Sequence, residues 1–231
     1  VNAKSKRIVH GANITPYAEG GAVLSCEGLT LSTLLGTPYH DVSLEVRQGD
    51  TFAVCGKNGS GKTALLLTLA GRMKFSKGSL RILDYRLPRQ SAKAQRRVGL
   101  GLFEGLNDLP STQKTADAVA AEFELYGRRP AKADVASYLA EWGLDGEMSK
   151  AIGDLTSKKL VELGVALAWV GHPDIIVVDD IESELTLDQS FAILDNIKRF
   201  SKARNATVLV GVLEPELAAA ADDAYYLSER S

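Results

Sequence analysis

Residues Thr51–Leu69 read TFAVCGKNGSGKTALLLTL. Thr51–Cys55 is a short apolar run of strand type, Gly56–Thr63 spells GxxxxGKT, and Ala64–Leu69 is an apolar helix-forming run. Strand, loop and helix in that order form the context a phosphate-binding loop requires. Gly56, Gly59 and Gly61 let the backbone turn tightly with its amides inward, which makes an anion-binding nest at a helix N-terminus. Asn58, Ser60 and Ala64 belong to the same candidate nucleotide-binding set. Lys62 is the point charge expected on the β- and γ-phosphates, and the Thr63 hydroxyl is the expected ligand of a phosphate-bound Mg²⁺. A GKT triplet at a helix start serves no packing purpose, so the pattern points to chemistry.

Working outward, 231 residues suffice for one large domain, or for a core carrying a subdomain. Lys plus Arg number 27 against 29 for Asp plus Glu, and the net charge of −2 argues against a nucleic-acid partner held by a general electrostatic footprint. Cys26 and Cys55 form no CxxC or Cys/His cluster, so neither a disulfide framework nor a zinc site is supported. No apolar run approaches the roughly eighteen residues that span a bilayer, and the first residues are polar rather than signal-like. A soluble cytoplasmic chain is expected, with any membrane role reached through a partner and no direct insertion.

Residues 1–21 mix Lys, Asn, Ser, Pro and paired glycines without periodicity, and read as a flexible arm preceding a single domain over 22–231. Strands are expected at Ala22–Ser25, Val42–Val46, Ser79–Leu83 and Val98–Phe103. The middle differs in kind. Thr112–Tyr126, Lys132–Trp142 and Ser157–Val170 are helix-like segments separated by Gly and Pro signals, a helical subdomain over about 104–170. Strand Ile175–Val178 follows an HPD turn and ends in Asp179 and Asp180. A closing α/β unit comprises helix Leu187–Ala203 and strand Thr207–Val212. Trp142 and Trp169 read as core packing between helices.

A β-rich start, a phosphate loop, an inserted helical block and an apolar strand ending in acids together resemble the nucleotide-binding cassette of ABC transporters, from about Val23 to Leu227. GTPases and small P-loop kinases compete, but there is no NKxD motif, and such enzymes usually place their second acid nearer the loop. The resemblance implies an α/β fold with a P-loop NTPase core of ABC type, a β-rich entry subdomain and an inserted helical subdomain. It implies ATP and Mg²⁺ as cofactors, with Asp179 holding the metal through water and Lys62 on the phosphates.

The resemblance then departs from the family pattern. The family's water-polarising Glu falls at Asp180, whose carboxylate is drawn back by about 1.5 Å, and misplacements near 1 Å can cost about a hundredfold in rate. The signature LSGGQ falls at Leu155–Lys159, LTSKK, where Ser157 and Lys158 replace the glycines that allow close approach of a second subunit's nucleotide. Lys158 and Lys159 read either as charge offered to that nucleotide's phosphate or as a solvated basic helix start, the second being favoured. The Gln of the following loop falls at Phe103 with Glu104 beside it, so either a shifted loop lets Glu104 serve near Mg²⁺ or the coupling contact is absent, and absence is the favoured reading. The switch His falls at Leu213, which cannot hydrogen-bond a phosphate. The Asp of the subunit-contact loop falls at Thr186. The adenine-stacking aromatic falls near Thr33, and Tyr39 is expected to pack instead. His10, His40 and His172 match no catalytic position.

What the resemblance implies is an ATP-binding subunit that docks on a membrane-spanning transporter subunit, with a second cassette subunit as a further candidate partner, and hydrolyses slowly with Asp180 and Lys62 as the catalytic candidates. The alternative is a soluble cassette protein of regulatory or assembly role. Soluble cassettes usually carry a coiled-coil insertion or a second cassette, and neither is visible.

Overall fold

The computed structural model describes residues 21–227. The arm expected over 1–21 lies outside the described residues, apart from Gly21. Two sheets carry the described residues. The first is antiparallel, in the order β2 (Gly36–Arg47), β1 (Ala22–Thr33), β4 (Lys77–Ile82), β5 (Tyr85–Leu87). The second is parallel, in the order β6 (Val98–Leu100), β7 (Ile175–Val178), β8 (Thr207–Val212), β3 (Thr51–Cys55), β9 (Asp223–Tyr226).

Strands β3, β7 and β8 are buried at every position. That is why they read as unbroken apolar runs: a parallel sheet covered on both faces leaves no polar side. The entry strands are much longer than Ala22–Ser25 and Val42–Val46. They form a twelve-by-twelve hairpin with repeated register shifts, and such bulges break the alternation on which a strand reading depends. β6 stops at Leu100, short of Phe103. Asn107 explains the early end, because its side chain donates to the Gly101 carbonyl at 2.9 Å and accepts from the Phe103 amide at 2.7 Å.

Helix α1 (Lys62–Leu69) lies between the two sheets. Leu65, Leu66 and Leu69 are fully buried, as befits a helix apolar all round, and each such side chain contributes roughly 1.5–3 kcal/mol of transfer free energy. The short α2 (Ser91–Gln95) links β5 to β6. Between β6 and β7 run α3 (Thr115–Leu125), α4 (Lys132–Glu141) and α5 (Ser157–Trp169). Trp142 stacks within 4.1 Å of Phe200, centroid to centroid, and within 5.2 Å of Trp169. These rings join α4, α5 and α6 (Leu187–Arg204) in one core. α6 begins with a capping box between Thr186 and Gln189 and ends on Asn205 in the left-handed region. α7 (Pro215–Ala220) leads into β9. Among the described residues, no helix is long and apolar enough to cross a membrane.

Candidate functional site

The site forms where β3 and β7 end, with β8 between them. The register pairs Cys55 with Val212 and Val178 with Val210, so the loop leaving β3 and the acids leaving β7 emerge on one rim. Ligands of open α/β sheets sit beyond the carboxyl ends of the strands. A cleft of about 390 Å³ opens there, and it is lined by Asn58, Gly59, Gly61, Lys62, Thr63, Ala64, Asp179 and Asp180 together with Lys57, Leu102 and Glu104.

Gly61 is the backbone hinge of the loop. It caps α1 at φ 94°, and a Cβ placed there would stand 2.0 Å from the Pro38 carbonyl oxygen of β2. Only glycine fits both constraints. The Gly56 amide donates to the Val212 carbonyl, anchoring the loop to β8. Lys62 is buried and donates to the Gly56 carbonyl at 3.1 Å. The Ser60 hydroxyl is buried without a hydrogen-bond partner among the described residues. Thr63 Oγ1 donates to Asp179 Oδ2 at 2.5 Å across 116 residues of chain. Asp179 Oδ1 accepts the Asp180 amide at 2.9 Å, and burial pushes the Asp179 carboxyl above its ordinary range, opposed by Thr63 and Lys62.

These residues fit a phosphate chain with a hard divalent cation. An orphaned hydroxyl and a lysine serve anionic oxygens, and the converging Thr63 and Asp179 oxygens are the hard donors Mg²⁺ prefers. Asp179 needs room, and β8 supplies it: a Cβ on Gly211 would fall 2.0 Å from Asp179 Oδ1. A lone glycine inside an apolar strand is the signal that could have identified this contact.

Other expectations change. Glu104 lines the cleft while Phe103 is buried, so of the two it is Glu104 that faces the cleft. The basic start of α5 is not merely solvated. Lys159 donates to the Gly143 carbonyl at 2.6 Å and to Glu162 at 2.9 Å, and Lys158 lies 3.9 Å from the same carboxylate. One acid a turn away gathers both ammonium groups. Tyr39 packs as expected, buried with its hydroxyl donating to Thr68 at 2.7 Å.

Two acids that the sequence reading passed over complete the rim. Glu182 accepts the amides of Leu213 and Glu214, the latter at 3.2 Å, and burial raises its carboxyl pKa. Glu184 accepts the Ser157 hydroxyl at 2.8 Å. The loop carrying both is bent through left-handed Asp180 and Glu184, at φ 47° and 56°.

The profile of one protein family, described as ABC transporter, matches residues 39–183. The ABC transporter ATP-binding protein NatA of Bacillus subtilis (strain 168) is 24% identical over 184 residues, covering 79% of this chain and 74% of that protein. Methionine import ATP-binding protein MetN 1 of Burkholderia pseudomallei (strain 1710b) is 28% identical over 177 residues, covering 74% and 51% respectively. The chain therefore spans about half the length of this second relative. Among solved structures, cbiO1 from Clostridium perfringens, part of the ABC transporter complex cbiONQ, superposes with a TM-score of 0.75 at 17% identity, over 90% of this chain and 85% of that one. A nucleotide-free ATP-binding cassette from an ABC transporter gives 0.73 at 15% identity, over 89% and 87%. At such identities the likeness concerns the fold, which is the α/β P-loop fold of ABC type.

Proposed function

Because this chain belongs to the ABC transporter family, we propose that it is the ATP-binding subunit of a membrane transporter, taking Mg-ATP at Gly56–Ala64 and Asp179 and hydrolysing it slowly. The observation that supports this reading is the convergence of Lys62, Thr63 and Asp179 in one cleft, with Thr63 and Asp179 in direct hydrogen bond. Loop amides and Lys62 would hold the phosphates, and Thr63 with Asp179 would hold the metal. Bound Mg²⁺ supplies charge neutralisation on the phosphate oxygens.

Slow turnover is the reading supported by three departures from the family pattern, of which Asp180 lines the cleft. Asp180 is a short carboxylate, Leu213 offers no side-chain donor, and the start of α5 lacks the glycines of close approach. Turnover by the isolated chain should fall well below the typical enzyme rate of about 10 per second. The membrane-spanning subunit, and any second cassette, would supply substrate choice and the missing half of the site. Titration of a fluorescent ATP analogue, with and without Mg²⁺, tests the binding claim on the wild type and Lys62→Ala. Binding should drop sharply in the variant, and equal binding by both proteins overturns the proposal. Ordinary hydrolysis rates from the purified chain would overturn the roles given to Asp180 and Leu213.

A further inference from the structure

Charge is distributed very unevenly along this chain. Residues 72–97 contain nine of the 27 Lys and Arg but one of the 29 acids, Asp84, leaving 18 cations against 28 acids elsewhere. A chain of net charge −2 therefore carries a strongly cationic segment on an acidic body.

The fold gathers that segment on one flank. β5 is the edge of the antiparallel sheet and β6 is an edge of the parallel one. α2 joins them and packs on both, burying Ala94. The turn after α1 is tied to the same place: Gln95 donates to the Gly71 carbonyl at 2.6 Å and Arg72 to the Gln95 carbonyl at 3.4 Å. Arg72, Lys74, Lys77, Arg86, Arg89, Lys93, Arg96 and Arg97 are all exposed. Arg97 pairs with Asp174. Lys74, Lys77, Arg86, Arg89, Lys93 and Arg96 form no ion pair among the described residues. Arg86 stands opposite Arg81 across β4 and β5, and the Arg81 guanidinium donates to the Leu83 and Ala22 carbonyls at 3.2 and 3.4 Å. Shielding an edge strand from aggregation is one use of such cations; it does not account for Arg86, Arg89, Lys93, Arg96 and Arg97 between one sheet edge and the other, with Arg72 and Lys74 in the turn after α1 and Lys77 on the neighbouring β4.

We infer that this flank is a docking surface for anionic phospholipid headgroups. Clusters of four to eight Lys and Arg beside a membrane are attracted to anionic lipid, and the pull falls off within a Debye length. The acidic remainder orients the chain, because a planar negative surface attracts the flank and repels the body. The choice of lipid over nucleic acid draws on the proposed place of this chain beside a membrane-spanning partner, whereas the cation cluster stands without it.

The test is sedimentation of the full chain, without nucleotide, on vesicles of phosphatidylcholine alone and of phosphatidylcholine mixed with phosphatidylglycerol. Binding should require phosphatidylglycerol and weaken as salt is raised. The triple variant Arg86→Gln, Arg89→Gln, Lys93→Gln should bind about a hundredfold more weakly, at about fivefold per cation. Its melting temperature should stay near that of the wild type. Lys62→Ala should bind vesicles normally even where it has lost ATP, so failure of the nucleotide reading leaves this result untouched. Equal sedimentation on both vesicles, or of wild type and triple variant, overturns the inference. Salt-sensitive binding to duplex DNA without binding to vesicles overturns it too, in favour of a nucleic-acid partner.

Discussion

The loop at the end of β3 and the start of α5 are the two places where the family resemblance puts phosphate contacts, and they have gone opposite ways. In the first, polar groups are held in reserve. Ser60 Oγ has no partner among the described residues, Lys62 rests on a backbone carbonyl, and Thr63 with Asp179 presents converging oxygens. In the second, the polar side chains are already engaged within the chain. Thr156 caps the helix, Ser157 is on Glu184, and both lysines are drawn to Glu162. The end of β8 follows the second pattern, with the Leu213 amide on Glu182 and its carbonyl accepting from Cys55 Sγ at 3.6 Å. One arm leaves polar groups open toward the cleft, and in the other the polar side chains are engaged within the chain.

The largest effect expected from breaking this contrast is at Gly61. Alanine there would face both a left-handed φ and a backbone carbonyl within 2.0 Å, which no rotamer change relieves. The conformational strain alone is of order 1–3 kcal/mol, and if it is relieved by displacing the loop, nucleotide binding should weaken by up to about tenfold to a hundredfold, the same roughly 1–3 kcal/mol expressed as affinity. Nucleotide titration alongside a denaturant melt checks both numbers. Next comes Gly211→Ala, whose Cβ would press on Asp179 and on Leu66 Cδ1, 2.8 Å away. Overpacking of this kind costs about 1–3 kcal/mol. The sharper outcome is selective: nucleotide binding should persist but lose much of its dependence on Mg²⁺, because Asp179 moves while the loop amides do not.

Much of the first arm was legible in the sequence, and little of the second. GKT between an apolar strand and an apolar helix is a local pattern, and β7 was read residue for residue because four buried β-branched positions in a row allow little else. The hairpin of β1 and β2 was read only in part, since its bulges interrupt the alternation. Ser157 with Glu184 and Glu182 with Leu213 are contacts over 27 and 31 residues, and nothing in the residue types announces them. The lysines of LTSKK looked solvated because their partner, Glu162, sits on the next helical turn, where an i, i+3 or i, i+4 pair was open to being noticed.

A third outcome concerns assembly. With its α5 start occupied and lacking glycines, the chain should remain monomeric in Mg-ATP by light scattering. A stable nucleotide-dependent homodimer would show that Ser157 and Lys158 admit a second copy after all, and the second arm would regain a ligand role.

The smallest effect is expected from Ser157→Ala, and it bears most directly on whether the two arms are separate in energy. The Ser157 hydroxyl bond to Glu184 is exposed, so its net contribution should be about 0.5–1.5 kcal/mol at most. Thr156 still caps the helix in this variant, accepting from Lys159 at 3.4 Å, which keeps the loss local. Glu184 holds a left-handed conformation that its side-chain bond helps to offset; releasing it should loosen the loop between Asp180 and Thr186 more than it loosens α5. Hydrogen exchange should therefore quicken at the amides of Ser183 and Leu185, with a drop of a few degrees or less in melting temperature. Nucleotide affinity of the monomer should not change, since Ser157 does not line the cleft. If Ser157→Ala alters that affinity while the phosphate loop keeps its exchange protection, the acidic loop transmits strain from α5 to Asp180, and the two arms are one coupled device.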